Sequence, residues 1–84
     1  MVVRDTIKKI KEKAEERGFN FEKAEHNIEE AYFKIYFKKI LPDGKIVFYY
    51  KIIPELVFYH IEDQDLIHDI IKDLEDEEEK RKKI

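Results

Sequence analysis

The chain has 84 residues, of which 43% are apolar and 44% charged, with a formal net charge of -3; that is too apolar for a disordered chain and too charged for a membrane one. Cysteine is absent, which excludes disulfides, thiolate metal ligands and a cysteine nucleophile. A chain this short buries one core, so residues 1–84 are read as a single domain.

The opening residues Met1-Val2-Val3-Arg4-Asp5 hold no apolar signal core, and the longest apolar runs, such as 46–50, fall far short of a membrane span. A cytoplasmic location is therefore expected. Charge is unevenly spread: residues 1–30 sum to about -1, 31–51 to about +4 and 52–84 to about -6, so an electrostatic partner meets two different faces. Lysine and isoleucine are abundant, serine is missing and Thr6 is the single threonine, a profile that fits a very thermostable natural protein or a designed one.

In chain order, Val3, Ile7, Ile10 and Ala14 recur at helical spacing and predict a first helix over residues 4–17, with Asp5 as N-cap. Gly18 stands where a helix ends in the left-handed conformation, and Phe19 is placed to touch Ala14 in a Schellman ending. Residues 19–30 admit two readings. Phe21, Ala24 and Ile28 suit a helix, whereas Phe19 and Phe21 alternate as a strand does; the strand is preferred.

A β-hairpin follows. Over 32–40 the residues Tyr32, Lys34, Tyr36 and Lys38 alternate with Phe33, Ile35 and Phe37, and Pro42-Asp43-Gly44 separates them from a second run over 45–53. In that second strand Ile46, Phe48, Tyr50 and Ile52 look like the core set, leaving Val47, Tyr49, Lys51 and Ile53 on the other face. Pro54 donates no ladder hydrogen bond and is read as a turn into a further short strand over 56–61. Leu66, Ile67, Ile70, Ile71 and Leu74 then form a wide apolar stripe, with Asp63 and Asp65 at the positive end of the helix dipole. Beyond Leu74 the pairs Asp76/Lys80, Glu77/Arg81, Glu78/Lys82 and Glu79/Lys83 stand four apart with the acid first, and predict last turns that are solvated and frayed. The expected fold is α+β: two helices packed on one face of a small antiparallel sheet of three to four strands, in the order α-β-β-β(-β)-α.

Catalytic chemistry finds little to build on. Gly18 and Gly44, the only glycines, lie too far apart for a phosphate-binding loop, and without serine or cysteine the acyl-transfer triads are excluded. His60, Asp65, His68 and Asp69 allow a metal site to be drawn near Glu62 and Asp63, but by angle His68 and Asp69 fall off the apolar stripe, and acids in a first helical turn are explained by the dipole. No catalytic, cofactor-binding or metal residue is assigned, and no cofactor is expected. The α-β-β-β-α order is shared with double-stranded RNA-binding domains, whose last helix starts basic; here that start is Glu62-Asp63-Gln64-Asp65, which repels a phosphate backbone, and no family resemblance is drawn.

One feature invites a partner. If Phe33, Ile35 and Phe37 face the helices, Tyr32, Lys34, Tyr36, Lys38, Tyr49 and Lys51 make a checkerboard of tyrosine and lysine on the open side. Such a surface suits self-association or a protein partner through the sheet. It also suits single-stranded nucleic acid, which ranks lower because no second basic element supports it and Tyr and Lys are ordinary solvent-face residues. The leading expectation is a non-catalytic, highly stable scaffold, natural or designed, followed by an interaction module using this face and then by a weak single-strand binder.

Overall fold

The computed structural model describes residues 3–82, and their side chains from residue 5 onward. Helix α1 (Val3–Glu16) turns Ile7, Ile10 and Ala14 toward the core; the side chain of Val3 lies outside those described. Asp5 sits in the first turn of the helix rather than before it, so it meets the dipole from inside instead of serving as N-cap. The C-terminal ending is a Schellman motif. Gly18 takes φ +87, its amide donates to Glu15 O at 3.1 Å, and the Phe19 amide donates to Ala14 O at 2.9 Å. Ala14 and Phe19, whose contact closes such a motif, are both fully buried.

Three antiparallel strands follow in the order β1-β2-β3: β1 (Asn20–Asn27), β2 (Tyr32–Ile40) and β3 (Ile46–Pro54). The strand reading of residues 19–30 thus holds, with a bulge at Glu22 between Phe21 and Lys23. Phe33, Ile35 and Phe37 point to the helices and are buried, as their alternation predicted.

Residues 56–61 are not a fourth strand. They belong mostly to helix α2 (Glu55–His60), which begins where the β2–β3 ladder ends, at the pairing of Tyr32, the first residue of β2, with Pro54, the last of β3. A helix then satisfies its backbone groups within itself. Glu55 still donates to Ala31 O at 2.9 Å, the last bond of the ladder before the chain turns away. Within α2 only Phe58 is buried, its ring stacked on Phe33 with centroids 4.1 Å apart.

Helix α3 (Asp63–Lys82) buries Leu66, Ile70, Ile71 and Leu74. The core between α1, α3 and one face of the sheet also holds Ile53 and Tyr49, and fully burying one such apolar side chain contributes about 1.5–3 kcal/mol. The C-terminal half of α3 is docked rather than frayed. Glu78 pairs with Lys39 of β2, while Arg81 lies over the Tyr49 ring at 4.9 Å and bonds Glu77 at 3.5 Å. Of the charge pairs read from the sequence, Glu77/Arg81 is made, Glu78 prefers Lys39, and Lys83 lies outside the described residues. No helix among the described residues is long and apolar enough to cross a membrane.

Candidate protein-interaction surface on strand β3

The loop between β2 and β3 decides which side chains β3 shows to solvent. Leu41 donates to Lys45 O at 2.8 Å, Gly44 takes φ +87 and donates to Leu41 O at 2.9 Å, and Lys45 donates to Asp43 Oδ1 at 3.0 Å. This closure sets Lys39 opposite Val47, Phe37 opposite Tyr49 and Ile35 opposite Lys51. Residues directly opposite in an antiparallel pair share a face, so Tyr49 and Lys51 join the covered side of the sheet and the even-numbered residues face outward.

The expected checkerboard is therefore divided. Tyr32, Lys34, Tyr36 and Lys38 stand on the open face, but Tyr49 and Lys51 do not join them. Tyr49 is 4% exposed, with Phe19 edge-on at 5.3 Å, and burial pushes its hydroxyl pKa up. Lys51 is half-buried and paired with Asp73 of α3. In their place the open face carries Ile46, Phe48, Tyr50 and Ile52, which are 50%, 64%, 61% and 46% exposed. The residues assigned to the core from sequence are the ones on the surface, because a one-residue shift in register exchanges the faces of a strand.

The open face is graded from polar to apolar. At the β1 side its charges are occupied locally: Lys38 pairs with Glu22 at 2.8 Å, Lys23 lies 4.8 Å over the Tyr36 ring, and Lys34 lies 5.0 Å from Tyr36 and 4.5 Å from Tyr50. The Tyr36 hydroxyl hydrogen-bonds both Glu25 and Lys34, holding the carboxyl below and the ammonium above their ordinary pKa values. Asn27 Nδ2 donates to the Tyr32 hydroxyl at 3.3 Å. The tyrosine rings that a nucleobase would stack on thus already carry lysines of the same sheet. Toward β3 the grading ends in the bare apolar row. At about 3.3 Å per residue and about 4.8 Å per strand, the β2–β3 part of the face is about 30 Å by 10 Å, roughly 300 Å².

The histidines fall in three separate places. His26 lies on the covered face, stacked on Phe33 at 4.1 Å and paired with Glu55 at the start of α2. His60 is exposed at the end of α2, and His68 lines a shallow groove with Lys13 and Arg17 of the α1 end, whereas Asp69 lines a different cavity beside β3. Among the described residues no three His, Asp or Glu side chains come together as a metal site. Asp65 is exposed on the first turn of α3. Asp63 instead ties α3 to α1, accepting from Thr6 Oγ1 at 3.1 Å and from Lys9 Nζ at 3.0 Å; chiefly the Lys9 bond holds its carboxyl below the usual range.

The chain matches no protein-family model, no curated protein and no solved structure. The class that fold and surface define is an α+β sheet-and-helix module with one open, half-apolar sheet face. Ile46, Phe48, Tyr50 and Ile52 were missed as surface residues, and the signal that finds them is a count outward from the Pro42-Asp43-Gly44 turn.

Proposed function

We propose that the chain is a non-catalytic protein-interaction module whose contact element is β3. The observation that carries this is the row Ile46, Phe48, Tyr50 and Ile52, exposed side by side on the open face. Isolated exposed apolar residues are ordinary, whereas these four stand side by side along the β3 half of the face, roughly 150 Å² of projected surface. The patch is smaller than the ~800 Å² each partner contributes to a standard interface, so contact through this row alone is weak. The absence of serine and cysteine supports a non-catalytic role.

A stable scaffold with no partner, natural or designed, is the second reading. It is favoured by the agreement between local signals and fold at the Schellman ending, the hairpin turn and the ion pairs that dock α3. Sedimentation of the wild type and of a Phe48→Ser/Ile52→Ser variant, each at two concentrations tenfold apart, separates the two. The module reading expects a wild-type mass that climbs with concentration and a variant that stays monomeric with an unchanged melting temperature. Monomers throughout would favour the scaffold.

A further inference from the structure

We propose that Arg81 guards the free edge of β3: its guanidinium occupies a backbone acceptor that an added strand needs, and so keeps copies of the chain from joining edge to edge. The proposal goes beyond the reading of the open face, because a chain with no partner has the same edge to protect.

The turn fixes which backbone groups of β3 are free. Leu41 and Lys45 form a hydrogen-bonded pair there, and alternation along the antiparallel ladder gives the bonds to β2 to Val47, Tyr49, Lys51 and Ile53. The bond from the Glu55 amide to Ala31 O continues the same alternation at the far end. The N–H and C=O groups of Ile46, Phe48, Tyr50 and Ile52 therefore point away from β2, and no strand among the described residues lies beyond them. β3 pairs with β2 over nine residues without a register shift, so its edge is unbroken, where that of β1 is interrupted by the bulge at Glu22.

Two residues close that edge. Pro54, next in the outward set, has no N–H to give. Phe48 O accepts from Arg81 Nη2 at 3.3 Å, a bond made from the free side. Arg81 is held there from two further directions: its guanidinium lies 4.9 Å over the Tyr49 ring, and Nη2 lies 3.5 Å from Glu77 Oε1, one helical turn back. A strand added at the usual ~4.8 Å spacing has to put its own N–H where that guanidinium sits.

The length of edge left open decides what can pair with it. In an antiparallel ladder each outward residue gives one bond to the residue opposite and takes one from it. With Phe48 engaged and Pro54 lacking a donor, the uninterrupted run is residues 50–52, at the short limit of strand length. Without the Arg81 bond it spans residues 46–52, longer than the usual ~5–6 residues of a strand. A second copy then supplies a matching edge: two β3 strands laid antiparallel across a two-fold axis bring Phe48, Tyr50 and Ile52 of both copies onto one face, where apolar contact adds to the backbone bonds.

The test is amide exchange by NMR, with sedimentation, on wild type and Arg81→Met, each at two concentrations tenfold apart. Methionine keeps an apolar stem over Tyr49 and suits an exposed helical position, while the donor is gone. In the wild type the amides of Ile46, Phe48, Tyr50 and Ile52 should exchange equally fast at both concentrations, since side-chain contact on the open face gives an outward N–H no acceptor. In Arg81→Met the mass should climb and those amides should slow by tenfold or more at the higher concentration, while Val47, Tyr49 and Lys51, bonded to β2, keep their wild-type rates. Two double variants separate edge pairing from packing of the face. Arg81→Met/Tyr50→Pro, which loses an outward N–H at no cost to the β2 ladder, should abolish the gain in mass; Arg81→Met/Tyr50→Ser, which loses the same ring but keeps the N–H, should retain it. Edge amides in Arg81→Met that exchange as in the wild type, or equal masses for the proline and serine variants, overturn the proposal. So does a loss of slow exchange at Val47, Tyr49 and Lys51 in Arg81→Met, which would make Arg81 a support of the fold instead of a guard. None of these results touches the reading of the open face, whose own test is Phe48→Ser/Ile52→Ser.

Discussion

Tyr49 stands directly opposite Phe37 on the covered face of the sheet, while its neighbour Tyr50 stands opposite Tyr36 on the open one. Two adjacent tyrosines thus answer to different forces. Tyr49 closes the core between Phe19 and Arg81, whereas Tyr50 is held only by Lys34 and by its cross-strand partner. Truncating a buried aromatic removes its transfer free energy and leaves a cavity, so Tyr49→Ala should cost about 3–4 kcal/mol and Tyr50→Ala less than about 1 kcal/mol. Urea unfolding of the two variants checks this. Equal losses, or the larger loss at Tyr50, would mean that β3 is shifted by one residue.

Two positive-φ residues give a pair of substitutions with opposite signs. Gly18 at φ +87 ends α1, and a β-carbon there suffers the left-handed penalty although nothing crowds it closer than Lys39 Cε at 3.6 Å. Ala31, at φ 57 before β2, already bears that penalty. Gly18→Ala should therefore destabilise by about 1 kcal/mol, and Ala31→Gly should stabilise by a few tenths to about 1 kcal/mol after the extra chain entropy of glycine is counted. Melting temperatures moving in opposite directions are the expected result. A Gly18→Ala variant that melts with the wild type would remove the Schellman geometry.

Much of the fold was legible because its signals are local. Gly18 followed by Phe19 marks a helix ending through a few bonds, and Pro42-Asp43-Gly44 marks a hairpin through one turn. The exchange of the two faces of β3 comes from register, a property of two strands at once. Whether Phe48 or Tyr49 faces inward depends on how the chain closes between Leu41 and Lys45, and composition does not discriminate when both faces of β3 are apolar. Residues 56–61 are a short, mostly apolar run that suits a strand or a helix alike, and only the burial of Phe58 alone within α2 shows which face it turns inward. Of the six residues expected on the open face, Tyr32, Lys34, Tyr36 and Lys38 came from β2, where Phe33, Ile35 and Phe37 identify the other side.

The contact between α1 and α3 should show in the acid limb of stability. Asp63 is bonded by Lys9 and Thr6, and its carboxyl pKa is lower in the folded chain than its ordinary value. A lowered folded pKa means that the unfolded chain binds the proton first. The stabilisation is therefore complete above the ordinary carboxylate pKa, near 4, and is lost as pH falls through the lower folded value. Glu25, lowered by the Tyr36 hydroxyl, acts in the same sense, so Asp63→Asn removes part of the acid dependence rather than all of it. Urea unfolding of wild type and Asp63→Asn at pH 6 and at about pH 2.5 gives the comparison: the variant should be weaker at pH 6, with the difference shrinking in acid. Thr6→Val, which removes the Oγ1 bond from a fully buried position, should cost about 1 kcal/mol at pH 6 and less in acid. A difference between Asp63→Asn and wild type that is constant across this range would mean that the carboxylate charge does not hold α3 against α1.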